Sequence, residues 1–204
     1  ASSLQQGLSD TELHRLWHSQ LSSRLLDLQS RLLQAKGQSF YAIGSAGHEG
    51  NAAVAAALRL TDPAFLHYRS GAFFIERSKQ LPGSTPLYDM LLSFCASSDD
   101  PISGGRHEVL GSLALNIPPQ TSTIASQLPK AVGAAFAIDL SRRLGQSGNW
   151  PADAIVMCSF GDASVNHSTA QGAINAACWA AYQQVPLPML FVCEDNGLGI
   201  STPT

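Results

Sequence analysis

Apolar and polar positions alternate along this chain in patterns that change from its first half to its last quarter. Leu13, Leu16, Trp17, Leu21, Leu25, Leu28 and Leu32 recur three to four residues apart, the spacing of one stripe on an α-helix. Ser9-Asp10-Thr11-Glu12 precedes them, a Ser with Glu three residues on, and Gly37 follows. These are a capping-box start and a glycine stop. The spacing predicts an amphipathic helix of about 25 residues, packing by its apolar stripe against the core or across a subunit interface. Shorter helices are predicted over Asn51–Leu60 and Leu87–Ala96, and through the small residues Ala131, Gly133, Ala134, Ala135 and Ala137. Pro118-Pro119 reads as a stop, and 82–86 and 145–151 as a loop and a turn.

Later the pattern becomes continuous. Ala154–Phe160 and Met189–Glu194 are mostly apolar runs, with a helical stretch from Ser168 to Tyr182 between them. Such runs read as buried parallel strands, and strand, helix, strand predicts a right-handed βαβ unit. The fold class expected is therefore α/β.

Each run stops at a carboxylate or amide beside glycine, at Gly161-Asp162-Ala163-Ser164 and at Glu194-Asp195-Asn196-Gly197. Ligands of open α/β sheets bind just beyond strand carboxyl ends. Small residues let a ligand approach the backbone, and the start of the following helix suits phosphate. Asp162 offers a hard anionic oxygen and Asn196 a neutral one, which fits magnesium completed by phosphate oxygens. Three other clusters are ambiguous. Gly44-Ser45-Ala46-Gly47-His48-Glu49-Gly50 resembles a dinucleotide loop only loosely, because no full strand precedes it and Asp62 comes too early for a ribose-binding acid; close packing of a helix start is the other reading. Arg69, after His67-Tyr68, suits a bidentate phosphate contact or an ordinary surface. Gly104-Gly105-Arg106-His107 closes an irregular segment, with His107 functional or structural.

Composition narrows the class. Charged residues are only 13%, against about 25% in ordinary domains, so much of the surface meets other subunits or is covered by Ser, Gln and Asn. The net charge of −3 gives no reason to expect nucleic acid or an anionic membrane as partner. No apolar run approaches the roughly 20 residues of a bilayer span. Four cysteines lack C-x-x-C spacing, and Cys158 and Cys193 lie in strand candidates, where free Cys acts as a small hydrophobe. That suits a reducing compartment. Ala1-Ser2-Ser3-Leu4 lacks signal-peptide character, and a cytoplasmic enzyme is expected.

Taken in order, the motifs carry a resemblance. Ser39-Phe40-Tyr41, Gly47-His48-Glu49-Gly50, Tyr68-Arg69, Gly104-Gly105-Arg106, the stretch from Ser122 through Gln127-Leu128-Pro129 to Ala135, Gly161-Asp162-Ala163 and Glu194-Asp195-Asn196 follow one another as in the α subunit of thiamine diphosphate-dependent 2-oxo acid dehydrogenases. They look most like the branched-chain (2-oxoisovalerate) type, including chains in which α and β regions are fused. Ala163 stands where the family has a second Gly, and Asp195 where it has a first Asn. The resemblance implies a three-layer thiamine diphosphate fold with a parallel sheet and a long N-terminal helix. It divides the chain into a helical segment, 1–37, and a cofactor domain, 38–204, C-terminally incomplete.

The resemblance also assigns roles. Asp162 and Asn196 would bind magnesium by side chain and Leu198 by its carbonyl. Tyr68 and Arg69 would hold the diphosphate, with Gly161, Ala163 and Ser164 close by. Ser122 and Ile124 would support the bent thiamine, Ser126 and Gln127 would bind potassium, and Phe40 and Tyr41 would line the acyl pocket. The activating Glu comes from the β region in such enzymes, so no catalytic residue is assigned here. The implied partners are that β region, a lipoyl-bearing acyltransferase, and further copies in a homo- or hetero-oligomer. Pyruvate or acetoin dehydrogenase α subunits, and a non-catalytic thiamine-fold assembly piece, are the alternatives; a Rossmann nucleotide binder lacks its glycine-rich turn after a strand.

Overall fold

The computed structural model of the chain describes residues 7–200 and 202–204; Ala1-Ser2-Ser3-Leu4 and Ser201 lie outside the described residues. Helix α1 (Asp10–Ala35) starts where its capping box predicts. The Glu12 N–H donates to Ser9 Oγ at 3.3 Å, and the Ser9 N–H donates to Glu12 Oε2 at 2.7 Å. Most of the helix's leucine stripe faces away from this chain's core, as a stripe reserved for an interface would. The buried face carries Leu16, Ser19, Ser23, Leu26, Asp27 and Ser30, while Trp17, Leu25, Leu28 and Leu32 are each more than half exposed.

Close packing explains this. Helix α1 meets α3 (Gly71–Ser78) through small residues, and a Cβ added at Gly71 would fall 2.7 Å from Ser23 Oγ. Ser19 Oγ donates to the buried Glu76 carboxylate at 2.7 Å. Hydroxyls with partners are tolerated in a core, and they let helix backbones approach more closely than leucines would. Trp17, Leu25, Leu28 and Leu32 of the apolar stripe stay open among the described residues, while Leu16 is covered.

The remaining elements form a sheet with a layer on each side. After α2 (Asn51–Ala57) come β1 (Ala64–Phe65), α3 and α4 (Pro86–Phe94, with Pro86 at its first turn). Then follow β2 (Leu110–Ser112), β3 (Ile117–Gln120), α5 (Gln127–Arg143) and β4 (Val156–Gly161). A 3₁₀ turn (Asp162–Asn166), α6 (Ser168–Tyr182), β5 (Met189–Glu194), β6 (Leu198–Gly199) and β7 (Thr202–Pro203) complete the order. β1, β4 and β5 lie side by side, all parallel. Successive residues point to opposite faces of a strand, and they feed two cores. Ala64, Leu66, Met157 and Val192 join Leu26, Ala55 and Phe73 on one face. Phe65, Val156, Cys158, Phe160 and Phe191 join Leu128, Ala131, Ala135 and Ala173 on the other. The predicted α/β, three-layer architecture with a long N-terminal helix is the one observed.

Some local expectations need correction. α2 ends at Ala57, because Leu58 takes an extended backbone. Strand β1 had no sequence signal at two residues long. Pro118-Pro119 is part of β3, which pairs antiparallel with β2 in a two-stranded ribbon; proline is accommodated at such edges. Gly111 is needed opposite them, since a Cβ there would sit 2.9 Å from Pro119 Cα. Among the described residues no helix is long and apolar enough to cross a membrane, and all four cysteines are free.

The packing of α1 separates two adjacent leucines. Leu26→Ala empties a core position and should cost roughly 2–5 kcal/mol, whereas Leu25→Ala on the open stripe should stay within about 0.5 kcal/mol in the isolated chain. Urea unfolding of both variants measures this, and a larger loss at Leu25 would contradict the observed orientation.

Candidate functional site

Strand pairing builds the site. β4 and β5 run parallel with Gly161 opposite Glu194, so the residues just past each strand, Asp162 and Asn196, reach the same cleft. That cleft has a volume of about 450 Å³. It takes in Tyr68 and Arg69 from the segment after β1, Ile124 from the loop before α5, Gly161 to Ser164, and Asn196 with Leu198. Ser122 is not in its lining; its hydroxyl lies 3.5 Å from the Tyr41 hydroxyl instead.

Asp162 is held anionic. A hydrogen bond from Thr204 Oγ1, together with N–H donors including those of Ala163 and Asn196, keeps its carboxyl below the usual range. Asn196 is fixed at both ends of its amide: the Leu198 N–H donates to Oδ1 at 3.0 Å, and Nδ2 lies 3.5 Å from His48 Nε2. Gly47, at φ +85°, lets the loop come this near, because a Cβ there would meet Asn196 Nδ2 at 2.9 Å. Arg69 donates to the Gly44 carbonyl at 2.7 Å, and its guanidinium stands over the Tyr68 ring, 5.3 Å from the centroid.

Three side chains unforeseen as site residues stand behind these. His48, which is 6% exposed, has Nδ1 2.5 Å from Glu194 Oε2. Its ring stacks on that of His67 at 4.9 Å. His67 is equally buried, and burial first, then the nearby His48 and Arg69 charges, pushes its pKa down to about 3. Its Nδ1 accepts from the Arg69 N–H at 3.3 Å, so the neutral ring carries its proton on Nε2, on the side facing Gly161. Glu194 also accepts from Asn51 Nδ2 at 3.4 Å and from Ser70 Oγ at 3.5 Å. Adjacency of Glu194 to the Asp-Asn pair was the sole signal in the sequence; the histidines required the fold.

Other expected features are arranged differently. The cleft meets the 3₁₀ turn and not the start of α6, whose first turn is capped by His167 Nδ1 accepting from the Thr169 N–H at 3.2 Å. Ser126 and Gln127 are bonded within the protein: Gln120 Nε2 donates to both, and Gln127 Nε2 donates to the Ser159 carbonyl at 2.9 Å. Phe40 is 73% and Tyr41 44% exposed, and both rings pack on His107, at 5.7 and 4.3 Å. No group of three or more His, Cys, Asp or Glu able to hold a metal occurs among the described residues. A hard cation in the cleft would therefore take one carboxylate, neutral amide or carbonyl oxygens, and oxygens from its ligand, the manner in which magnesium is bound with phosphates. The arrangement suits a cation and a phosphate held together between Asp162 and Arg69.

Comparison with known proteins gives the class. The model of the family "Dehydrogenase E1 component" matches residues 18–204, and the chain belongs to that family. Subunit alpha of mitochondrial 2-oxoisovalerate dehydrogenase from Mus musculus is 30% identical over 189 residues, covering 90% of this chain and 38% of that protein. Subunit alpha 2 of the Arabidopsis thaliana mitochondrial enzyme is 32% identical over 168 residues, 81% of this chain and 31% of that one. The subunit alpha from Bacillus subtilis (strain 168) is 29% identical over 202 residues, 97% and 55% of the two chains. The chain thus spans between about a third and about half the length of these relatives.

One carboxyl behind Arg69 gives a pH test. Glu108 is 8% exposed, and burial pushes its pKa up to about 7, offset in part by the Ile43 N–H and Arg69. A raised carboxyl binds its proton more tightly in the folded chain, so its contribution is present below about pH 4.5 and lost as pH rises to about 7. Glu108→Gln should therefore gain about 3 kcal/mol relative to the unsubstituted chain between about pH 4 and about pH 8. Parallel stability curves for the two chains would contradict this.

Proposed function

We propose that this chain forms the diphosphate-binding part of the α region of a thiamine diphosphate-dependent 2-oxo acid dehydrogenase. In this reading the whole enzyme decarboxylates branched-chain 2-oxo acids such as 3-methyl-2-oxobutanoate and passes the acyl group to a lipoyl-bearing acyltransferase. The observation that carries the proposal is the convergence of Asp162, Asn196 and Arg69 on one cleft at the ends of two paired parallel strands. Family membership and the names of the relatives support it.

The donor set fits the cofactor. Asp162, anionic and partly exposed, Asn196 Oδ1 and the Leu198 carbonyl would hold magnesium. Arg69 and Tyr68 would take the diphosphate, beside Gly161, Ala163 and Ser164. Ala163 lines the cleft as a small, exposed residue, which suits the close approach that the usual Gly would allow. Ile124 and Ser122 would support the thiamine. Bound thiamine diphosphate supplies an electron sink for cleaving the bond to CO₂. The residues of this chain bind, orient and balance charge, and the group that moves the proton is proposed on a β-region partner.

Residues 1–37 are proposed as the helical lead-in and 38–204 as the cofactor domain. Potassium beside Ser126 and Gln127 belongs to the same proposal and would compete with the hydrogen bonds those side chains make. A cytoplasmic location is part of it too, although the mouse and Arabidopsis relatives are named mitochondrial.

Calorimetry tests the reading. Thiamine diphosphate should bind only with magnesium present, and Asp162→Ala should weaken binding by at least about tenfold, equivalent to about 1.4 kcal/mol. Magnesium-independent binding, or no binding even with a β partner added, would sink the proposal and favour a non-catalytic assembly role.

A further inference from the structure

The loop from Gly44 to Gly50, ambiguous in the sequence, stands directly behind Asn196. We propose that its His48 is a positioning residue for Asn196, holding the Asn196 amide with its oxygen available to the metal. The inference rests on reading the cleft as a magnesium–diphosphate site.

The first link is Glu194. His48 Nδ1 is 2.5 Å from Glu194 Oε2, and a carboxylate at that distance requires the proton on Nδ1. In the neutral ring Nε2 is then the bare nitrogen. The second link is Asn196, whose Nδ2 lies 3.5 Å from that nitrogen while its Oδ1 accepts from the Leu198 N–H at 3.0 Å. An amide can sit in two orientations. Here the reversed one would set the carbonyl oxygen against a bare ring nitrogen and the NH₂ against an N–H donor. Both ends therefore select the same orientation, and a hard cation needs the oxygen.

The surroundings hold His48 to this task. Its ring stacks on His67 with an interplanar angle of 15°. Glu194 is steadied by Asn51 and Ser70. Gly47 has no side chain where one would strike Asn196. Partners that orient a metal ligand from behind typically account for about 10–100-fold in metal affinity.

A mere tie between the loop and β5 would look similar, and two substitutions separate the cases. Asn at position 48 places its amide where Nδ1 was and keeps the bond to Glu194. Gln reaches to the place of Nε2 and keeps the contact with Asn196. Calorimetric titration of thiamine diphosphate at graded magnesium concentrations should show His48→Asn needing about 10–100-fold more magnesium. His48→Gln should stay within about threefold of the unsubstituted chain, and Asn196→Ala should be at least as impaired as His48→Asn. Long-range ¹H–¹⁵N NMR of the cofactor-free chain should show Nδ1 protonated and Nε2 bare.

Magnesium dependence in His48→Asn equal to that of the unsubstituted chain, or a proton on Nε2, overturns the inference while leaving the cofactor site intact. Failure of the unsubstituted chain to bind thiamine diphosphate at any magnesium concentration overturns the functional reading and this inference together.

Discussion

The parallel, in-register pairing of β4 with β5 is the constraint on which the cleft depends. Their register runs from Val156 opposite Met189 to Gly161 opposite Glu194. A slip of one residue would turn every side chain to the other face. Val156, Cys158 and Phe160 would leave the core they share with α5 and α6, and Met157 would leave the other. The same slip would part Asp162 from Asn196. Burial of apolar surface, about 25 cal/mol per Å², thus fixes a register whose functional consequence appears only past the last strand residue.

Behind that edge the fold buries polar groups, most of them with partners, Asn51 Oδ1 being an exception. Ser159 interrupts the apolar run of β4, yet its hydroxyl accepts the His67 N–H at 2.9 Å and lies 3.2 Å from Ser70 Oγ. His67 stays neutral beside Arg69, avoiding two cations in one low-dielectric space. Glu194 meets the His48 N–H. The network joins the loop before α2, the turn after β1 and the end of β5, three segments distant in sequence. A buried polar network with satisfied members specifies one arrangement of its elements, which a site assembled from separate loops requires.

Much of this was legible in the sequence, and the exceptions have physical causes. The two apolar runs, the helix between them and the Asp162–Asn196 pair were plain because buried parallel strands leave continuous signals. The core-facing side of α1 was not foreseen because hydrophobic periodicity counts leucines, and Ser19, Ser23 and Ser30 reach the core by being small, the first two hydrogen-bonded as well. β1 was invisible because two residues carry no pattern. His48 and His67 gave no local sign either, since Glu194 is 146 positions from His48 and only the sheet brings them together. The open stripe of Trp17, Leu25, Leu28 and Leu32 accords with the low charge content, as both describe surface poor in charge.

The central claim is that the ends of β4 and β5 form one cation–diphosphate site. Anomalous diffraction from crystals grown with manganese in place of magnesium, and with thiamine diphosphate, tests it most directly. A single strong peak between Asp162 and Asn196, with diphosphate density reaching Arg69, is the result predicted. Manganese and cofactor bound together at another place, with Asp162 and Asn196 uninvolved, would contradict it.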